Sequence, residues 1–118
     1  MDSKIAGIIV ALLIGGGILW MKSSDKSENS QDLRNLVYEV LETADNFDKY
    51  ESEYQMYFDL YHDEVFDANY RMGGRRTGPS FDEEAYWTEM FTLMIRSADA
   101  DGETEVADGL RSLRDQLL

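Results

Sequence analysis

The sequence predicts an all-α protein, with an N-terminal single transmembrane helix joined to a small acidic helical domain. Three observations carry that expectation. An unbroken apolar run fills residues 5–21, with Lys4 before it and Lys22 after it. Beyond it, apolar residues recur at alternating steps of four and three, the spacing of one helix face. No Gly or Pro interrupts the longest stretch of that pattern, residues 31–72.

The apolar run is the predicted anchor, residues 1–22. At 1.5 Å per residue it is roughly 25 Å long as a helix, and the stems of Lys4 and Lys22 extend it towards the roughly 30 Å hydrocarbon core. It ends Leu19-Trp20-Met21-Lys22, without the small residues of a leader cleavage site, so an uncleaved span is expected. Trp20 suits the membrane–water interface. Gly7, Ala11 and Gly15 lie four apart and share a face. Small residues at that spacing let helices approach closely in lipid, so this face is a candidate for packing on another copy or another membrane helix. The lipid bilayer is thus one expected partner and a membrane the expected location. The basic residues flanking the run nearly balance, which sets no sidedness.

Asp2 and Lys4 cancel within residues 1–21, so the entire formal charge of −13 falls on residues 22–118. Such a surface repels nucleic acid and anionic headgroups, which argues against a nucleic-acid partner. The chain has no Cys, which excludes disulfides, thiolate nucleophiles and Cys-ligated zinc.

Residues 23–30 are polar and Ser-rich and read as a flexible linker. The helical domain, residues 31–118, then opens with Ser30 as a candidate N-cap. Leu33, Val37, Val40, Ala44, Phe47, Tyr54, Phe58, Tyr61, Val65, Ala68 and Met72 trace one stripe. A 3-4 spacing over about five heptads predicts one long amphipathic helix over 31–72, packed in coiled-coil fashion; a break near Asp45-Asn46 is the alternative. Six of the seven Tyr residues fall in this segment, and Tyr50, Tyr54, Tyr57 and Tyr61 share a face. A ring with a polar tip suits either the rim of a helical core or a partner-facing stripe.

Gly73, Gly74, Gly78 and Pro79 mark a loop, and Arg71, Arg75 and Arg76 make it the one basic spot on an acidic chain. These arginines are candidates for gripping an anion or an acidic partner, or for complementing a helix C-terminus. Ser80 with Glu83 reads as a capping box opening a helix over 81–98. Trp87, Met90, Phe91, Met94, Ile95 and Ala98 form its apolar face. A last helix over 104–117 carries Val106, Leu110, Leu113 and Leu117 at core spacing.

The turn between these helices is the sharpest chemical candidate. Ser97, Asp99, Asp101, Gly102, Glu103 and Asp108 fall at positions 1, 3, 5, 6, 7 and 12 of a calcium loop, and the segment resembles an EF-hand. That resemblance implies a hard cation held by Ser97, Asp99, Asp101, Glu103 and Asp108. Position 1 is Ser rather than Asp, and Asp108 is shorter than the usual bidentate Glu. Ala100-Asp-Gly-Glu103 also resembles the helix-turn element of TerB-like tellurite-resistance domains, some relatives of which are membrane-tethered. The competing reading is an acidic interhelical turn without metal.

No catalytic constellation is legible. His62 is the only His and stands among Asp59, Asp63 and Glu64, which reads as a surface histidine on an acidic face. Asp59-x-x-His62 lacks the Glu and the second copy that a di-iron bundle needs, and there is no G-x-S-x-G. The sequence therefore predicts a non-enzyme without a small-molecule substrate or resident cofactor, calcium being the one candidate ligand. A structural or scaffolding role is expected, with copies of the chain or other membrane and structural proteins as partners. A short anchor on a small partner-seeking domain resembles in design the minor membrane proteins of lipid-containing bacteriophages, which implies a place in a virion's internal membrane.

Overall fold

The computed structural model describes residues 26–71 and 80–117. Their order is α1 (Lys26–Leu41), α2 (Phe47–Asn69), β1 (Tyr70–Arg71), β2 (Ser80–Phe81), α3 (Glu83–Ala100) and α4 (Thr104–Leu117). The described chain is mostly helical, as its periodicity requires. Among the described residues no helix is long and apolar enough to cross a membrane. The predicted anchor, with Gly7, Ala11 and Gly15, lies outside the described residues.

The single helix expected over 31–72 is two helices. α1 stops at Leu41 and α2 starts at Phe47. Leu41 and Phe47 are both buried, so the chain must turn between them for both to face the same core. Residues 42–46 supply the turn. Thr43 Oγ1 bonds back to the Val40 carbonyl, and Asn46 Nδ2 donates to the Glu105 carbonyl at 3.0 Å, pinning the corner to α4. A heptad stripe reads the same on one long helix as on two helices that fold back on each other.

Two further boundaries differ from the sequence expectation. Part of the expected flexible linker is helical, because α1 begins at Lys26. Asn29 is buried there and donates from Nδ2 to the Tyr70 hydroxyl at 3.0 Å. The expected capping box at Ser80 does not form. Ser80 and Phe81 pair instead with Arg71 and Tyr70 as a two-residue antiparallel ladder, and Asp82 is the N-cap, accepting from the Ala85 N–H at 3.1 Å. That ladder also ends α2 at Asn69, short of Met72.

α2 is the central helix. α1 lies antiparallel to it, pairing Lys26 with Asp67 and Arg34 with Asp59. β2 and the α3–α4 hairpin cover its other side, where Phe81 of β2 stacks on Phe66 and Tyr57 meets Asp101. The core is continuous across all four helices: Leu33, Val37 and Leu41 from α1, Tyr54, Phe58 and Phe66 from α2, Met90, Phe91 and Met94 from α3, and Val106, Leu110 and Leu113 from α4. A fully buried side chain such as Phe58 or Phe91 contributes about 2–3 kcal/mol by leaving water.

α4 comes close enough to α2 that a Cβ on Gly109 would run into the Tyr54 hydroxyl. Gly109→Ala gains about 1 kcal/mol in helix propensity. Overpacking against a rigid buried ring costs about 1–3 kcal/mol. The substitution is expected to lower the urea midpoint at unchanged slope, and adding Tyr54→Phe should recover part of the loss; a gain in stability would contradict this packing.

Candidate functional site

Helical spacing places Tyr50, Tyr54, Tyr57 and Tyr61 along the side of α2 that meets the α3–α4 hairpin. Tyr57 donates to Asp101 Oδ2 at 2.8 Å, Tyr50 donates to Glu105 Oε2, and Tyr61 bonds Ser97 Oγ. Tyr54 donates to Asn46 Oδ1. The rings are buried or half-buried and each hydroxyl is satisfied by a neighbouring element, so the tyrosine stripe is the polar rim of the core. Burial holds the Tyr54 hydroxyl up at about 12, with Asp45 adding to the effect. Burial, reinforced by the bond to Asp101, also pushes Tyr57 well up.

The α3–α4 turn is a Schellman corner. Glu103 N–H reaches back to the Ala98 carbonyl at 2.8 Å and Gly102 N–H to the Asp99 carbonyl at 3.1 Å. Gly102 takes φ +78°, a left-handed conformation that costs glycine little. The sequence-selected residues of this turn are engaged separately. Ser97 and Asp101 turn to tyrosines on α2, while Arg111 on α4 pairs with Asp99 and, at 3.1 Å, with Asp108 Oδ1. A guanidinium thus stands between the two carboxylates that an EF-hand loop would turn on a cation. Among the described residues no group of three or more His, Asp or Glu side chains is arranged to hold a metal ion. Of the arginine candidates, Arg71 is exposed on β1, and Arg75 and Arg76 lie outside the described residues.

His62 is not on the surface. It is only 1% exposed, because Phe58, His62, Phe66 and Tyr70 follow in steps of four and their rings contact one another in turn, with centroids 4.9, 5.9 and 4.9 Å apart. Nδ1 lies 2.7 Å from the Tyr86 hydroxyl and Nε2 lies 3.1 Å from Ser30 Oγ. Tyr86 is fully buried, and donation from its hydroxyl to Nδ1 is the arrangement that satisfies both groups. The ring proton then sits on Nε2 and is donated to Ser30. With its lone pair already taken by Tyr86, His62 is not placed to accept a proton from Ser30, and the pair lacks the arrangement of an activated nucleophile. Burial lowers the proton affinity of His62 and pushes Tyr86 far up. This joint of α1, α2 and α3 went unread in the sequence, although the four-residue aromatic steps around His62 announce it.

The outer face of α2 carries Met56 and Leu60, which are 46% and 59% exposed and are the exposed large hydrophobic residues of the described chain. They stand one turn apart among Asp59, Asp63 and Glu64. Asp59 is matched internally, by Arg34 and the Tyr38 hydroxyl.

Comparison of the chain with protein-family models, curated proteins and solved structures finds no match in any of the three. The functional reading rests on geometry and charge.

The buried hydroxyls make an alkaline prediction. Tyr54, Tyr57 and Tyr86 are held above their ordinary value when folded, so stability is full below about pH 10 and declines as pH rises past it, where the unfolded chain ionises. Tyrosinate absorbance is expected to rise in two stages, the second coinciding with loss of helical circular dichroism. A single smooth ionisation with helicity intact would contradict the burial of these hydroxyls.

Proposed function

We propose that the chain is a non-enzymatic, single-pass membrane scaffold whose acidic helical domain holds a partner protein on the outer face of α2. The observation that carries this reading is the exposed Met56–Leu60 pair, an apolar contact one helical turn long set among carboxylates. Most large hydrophobic residues of the described chain are in the core or packed against it, so packing within the fold gives this pair no role. Residues 5–21 supply the anchor, and Gly7, Ala11 and Gly15 supply a face for pairing within the bilayer.

Charge decides which partner each surface suits. Two copies meeting through their α2 faces would bring one carboxylate-rimmed surface against another, which disfavours that contact. The α2 face therefore suits a basic amphipathic segment of another structural protein, and self-association belongs to the membrane helix. A domain that ties a membrane to a neighbouring protein layer is the design of the minor membrane proteins of lipid-containing phages.

The test uses the full chain in detergent micelles and a synthetic helix with Leu on one face and Lys on the other. Binding is expected to weaken with salt and to fall at least about tenfold in Met56→Asp/Leu60→Asp. Fold stability should stay within about 0.5 kcal/mol, since both residues are at the surface. Equal binding by the double variant would overturn the assignment of this face. A melt raised by calcium would favour instead the metal-responsive reading of residues 97–108.

A further inference from the structure

We propose that the groove between the α1–α2 corner and α4 receives the arginine loop, residues 72–79, of a second copy of this chain. The contact is additional to pairing in the bilayer, and it uses neither the membrane span nor the Met56–Leu60 face.

The groove lies where α4 crosses the corner, and it encloses about 330 Å³. Leu113 of the core and Ala44, packed against the core, give it an apolar floor. Exposed Asp45, Glu105 and Asp108 stand around it. Residues 35–48 carry Glu39, Glu42, Asp45 and Asp48 and no basic residue. α1 ends at this corner without a basic residue in its last turn, so the negative end of its dipole adds to the carboxylates. Among the described residues no basic side chain pairs with Asp45. Glu105 meets Tyr50 and Lys49, and Asp108 meets Arg111, but a carboxylate has acceptor sites beyond such bonds. Carboxylates above an apolar floor suit arginine: its stem lies on apolar surface while its guanidinium reaches the acids.

The chain carries that ligand at its other end. Residues 68–81 include Arg71, Arg75 and Arg76 and no acid. The loop of the same copy cannot reach the groove. Residues 72–79 leave and re-enter at the Tyr70–Phe81 ladder, which follows α2, whereas the corner precedes it. α2 has 23 residues and is therefore about 35 Å long. A loop of that length held at both ends extends about 15 Å at most, and an arginine side chain does not make up the difference. The loop of a neighbouring copy meets no such limit.

Two α2 faces repel each other, but these two ends of the domain are opposite in charge. A contact between unlike surfaces leaves a free loop at one end of the pair and a free groove at the other, so it repeats into rows. Lys26 lies over the Tyr70 ring, which puts the connection to the apolar run at the loop end. Copies held in one bilayer would thus lie along its surface, loop to corner.

The test uses the full chain in detergent micelles. The chain has no Cys, so one can be placed on each surface, as Thr77→Cys in the loop and Ser112→Cys beside the groove. Under mild oxidation at about 50 mM salt, a mixture of the two variants is expected to form severalfold more cross-linked dimer than either alone, and the excess should vanish at about 500 mM salt. Arg75→Glu/Arg76→Glu in the loop variant, or Asp45→Lys/Asp108→Lys in the groove variant, should each lower the excess at least about tenfold. Combining the two charge-reversed chains should restore it, because every loop–groove pair between them is again opposite in sign. Asp45→Lys alone replaces the double groove variant if that one fails to fold. No excess in the mixture, or an equal excess with the loop reversed, would overturn the contact. Loss in both reversed variants without recovery on combining them would overturn the second copy as the occupant and leave the groove to a basic segment of another protein.

Discussion

A tyrosine makes two opposed demands: its ring belongs in a core and its hydroxyl needs a partner. The rest of this structure depends on how α2 reconciles them. Tyr57 is buried, so the hairpin of α3 and α4 must stand where Asp101 meets its hydroxyl at 2.8 Å. Tyr50 and Tyr61 fix Glu105 and Ser97 on either side of that point, and Tyr54 takes Asn46 at the α1–α2 corner. The corner is in turn tied to α4 through the Glu105 carbonyl. One row of hydroxyls therefore ties α3, α4 and the α1–α2 corner to the central helix. The aromatic series from Phe58 to Tyr70 does the same for the leading end of α1, through His62 and Tyr70.

Much of the domain was legible because periodicity reports burial directly. The last two helices and their apolar faces follow from the spacing of Trp87 to Ala98 and Val106 to Leu113. The helix expected over 31–72 illustrates where periodicity stops: an antiparallel pair and a continuous helix bury the same positions, and only tertiary contacts at Thr43 and Asn46 decide between them. The stripe also drifts. Ala68, counted as core, is exposed, and His62 and Phe66 are buried in its place, because 3.6 residues per turn moves the buried face round the helix over several turns. The boundaries at Ser80 and Lys26 depend on a two-residue ladder and on Asn29, neither of which has a local sequence signal strong enough to compete with a capping box or a Ser-rich run.

The candidate sites show the same division. Acids at calcium-loop spacing look alike whether they bind a cation, an arginine or tyrosine hydroxyls; here Arg111 on the next helix, and α2 tyrosines distant in sequence, take them. A lone histidine among aspartates reads as exposed from its neighbours at one and three residues, yet its neighbours at four residues are aromatic, and those set its environment. Charge on this chain accordingly has two roles. Acids at the seams between helices meet hydroxyls and guanidinium groups and hold the helices in register. Acids on the outer face of α2 surround the exposed Met56 and Leu60 and bias what can dock there.

The claim that the tyrosine row sets the fold is tested most directly by a double-mutant cycle between Tyr57→Phe and Asp101→Ala, read by urea denaturation. Tyr57 and Asp101 lie on different elements and meet through one hydroxyl–carboxylate bond, so the cycle isolates that bond. The account predicts a coupling of about 1 kcal/mol or more, as expected of a hydrogen bond to a charged group. Effects that add to within about 0.3 kcal/mol would mean that the row is incidental and that apolar packing alone places the hairpin.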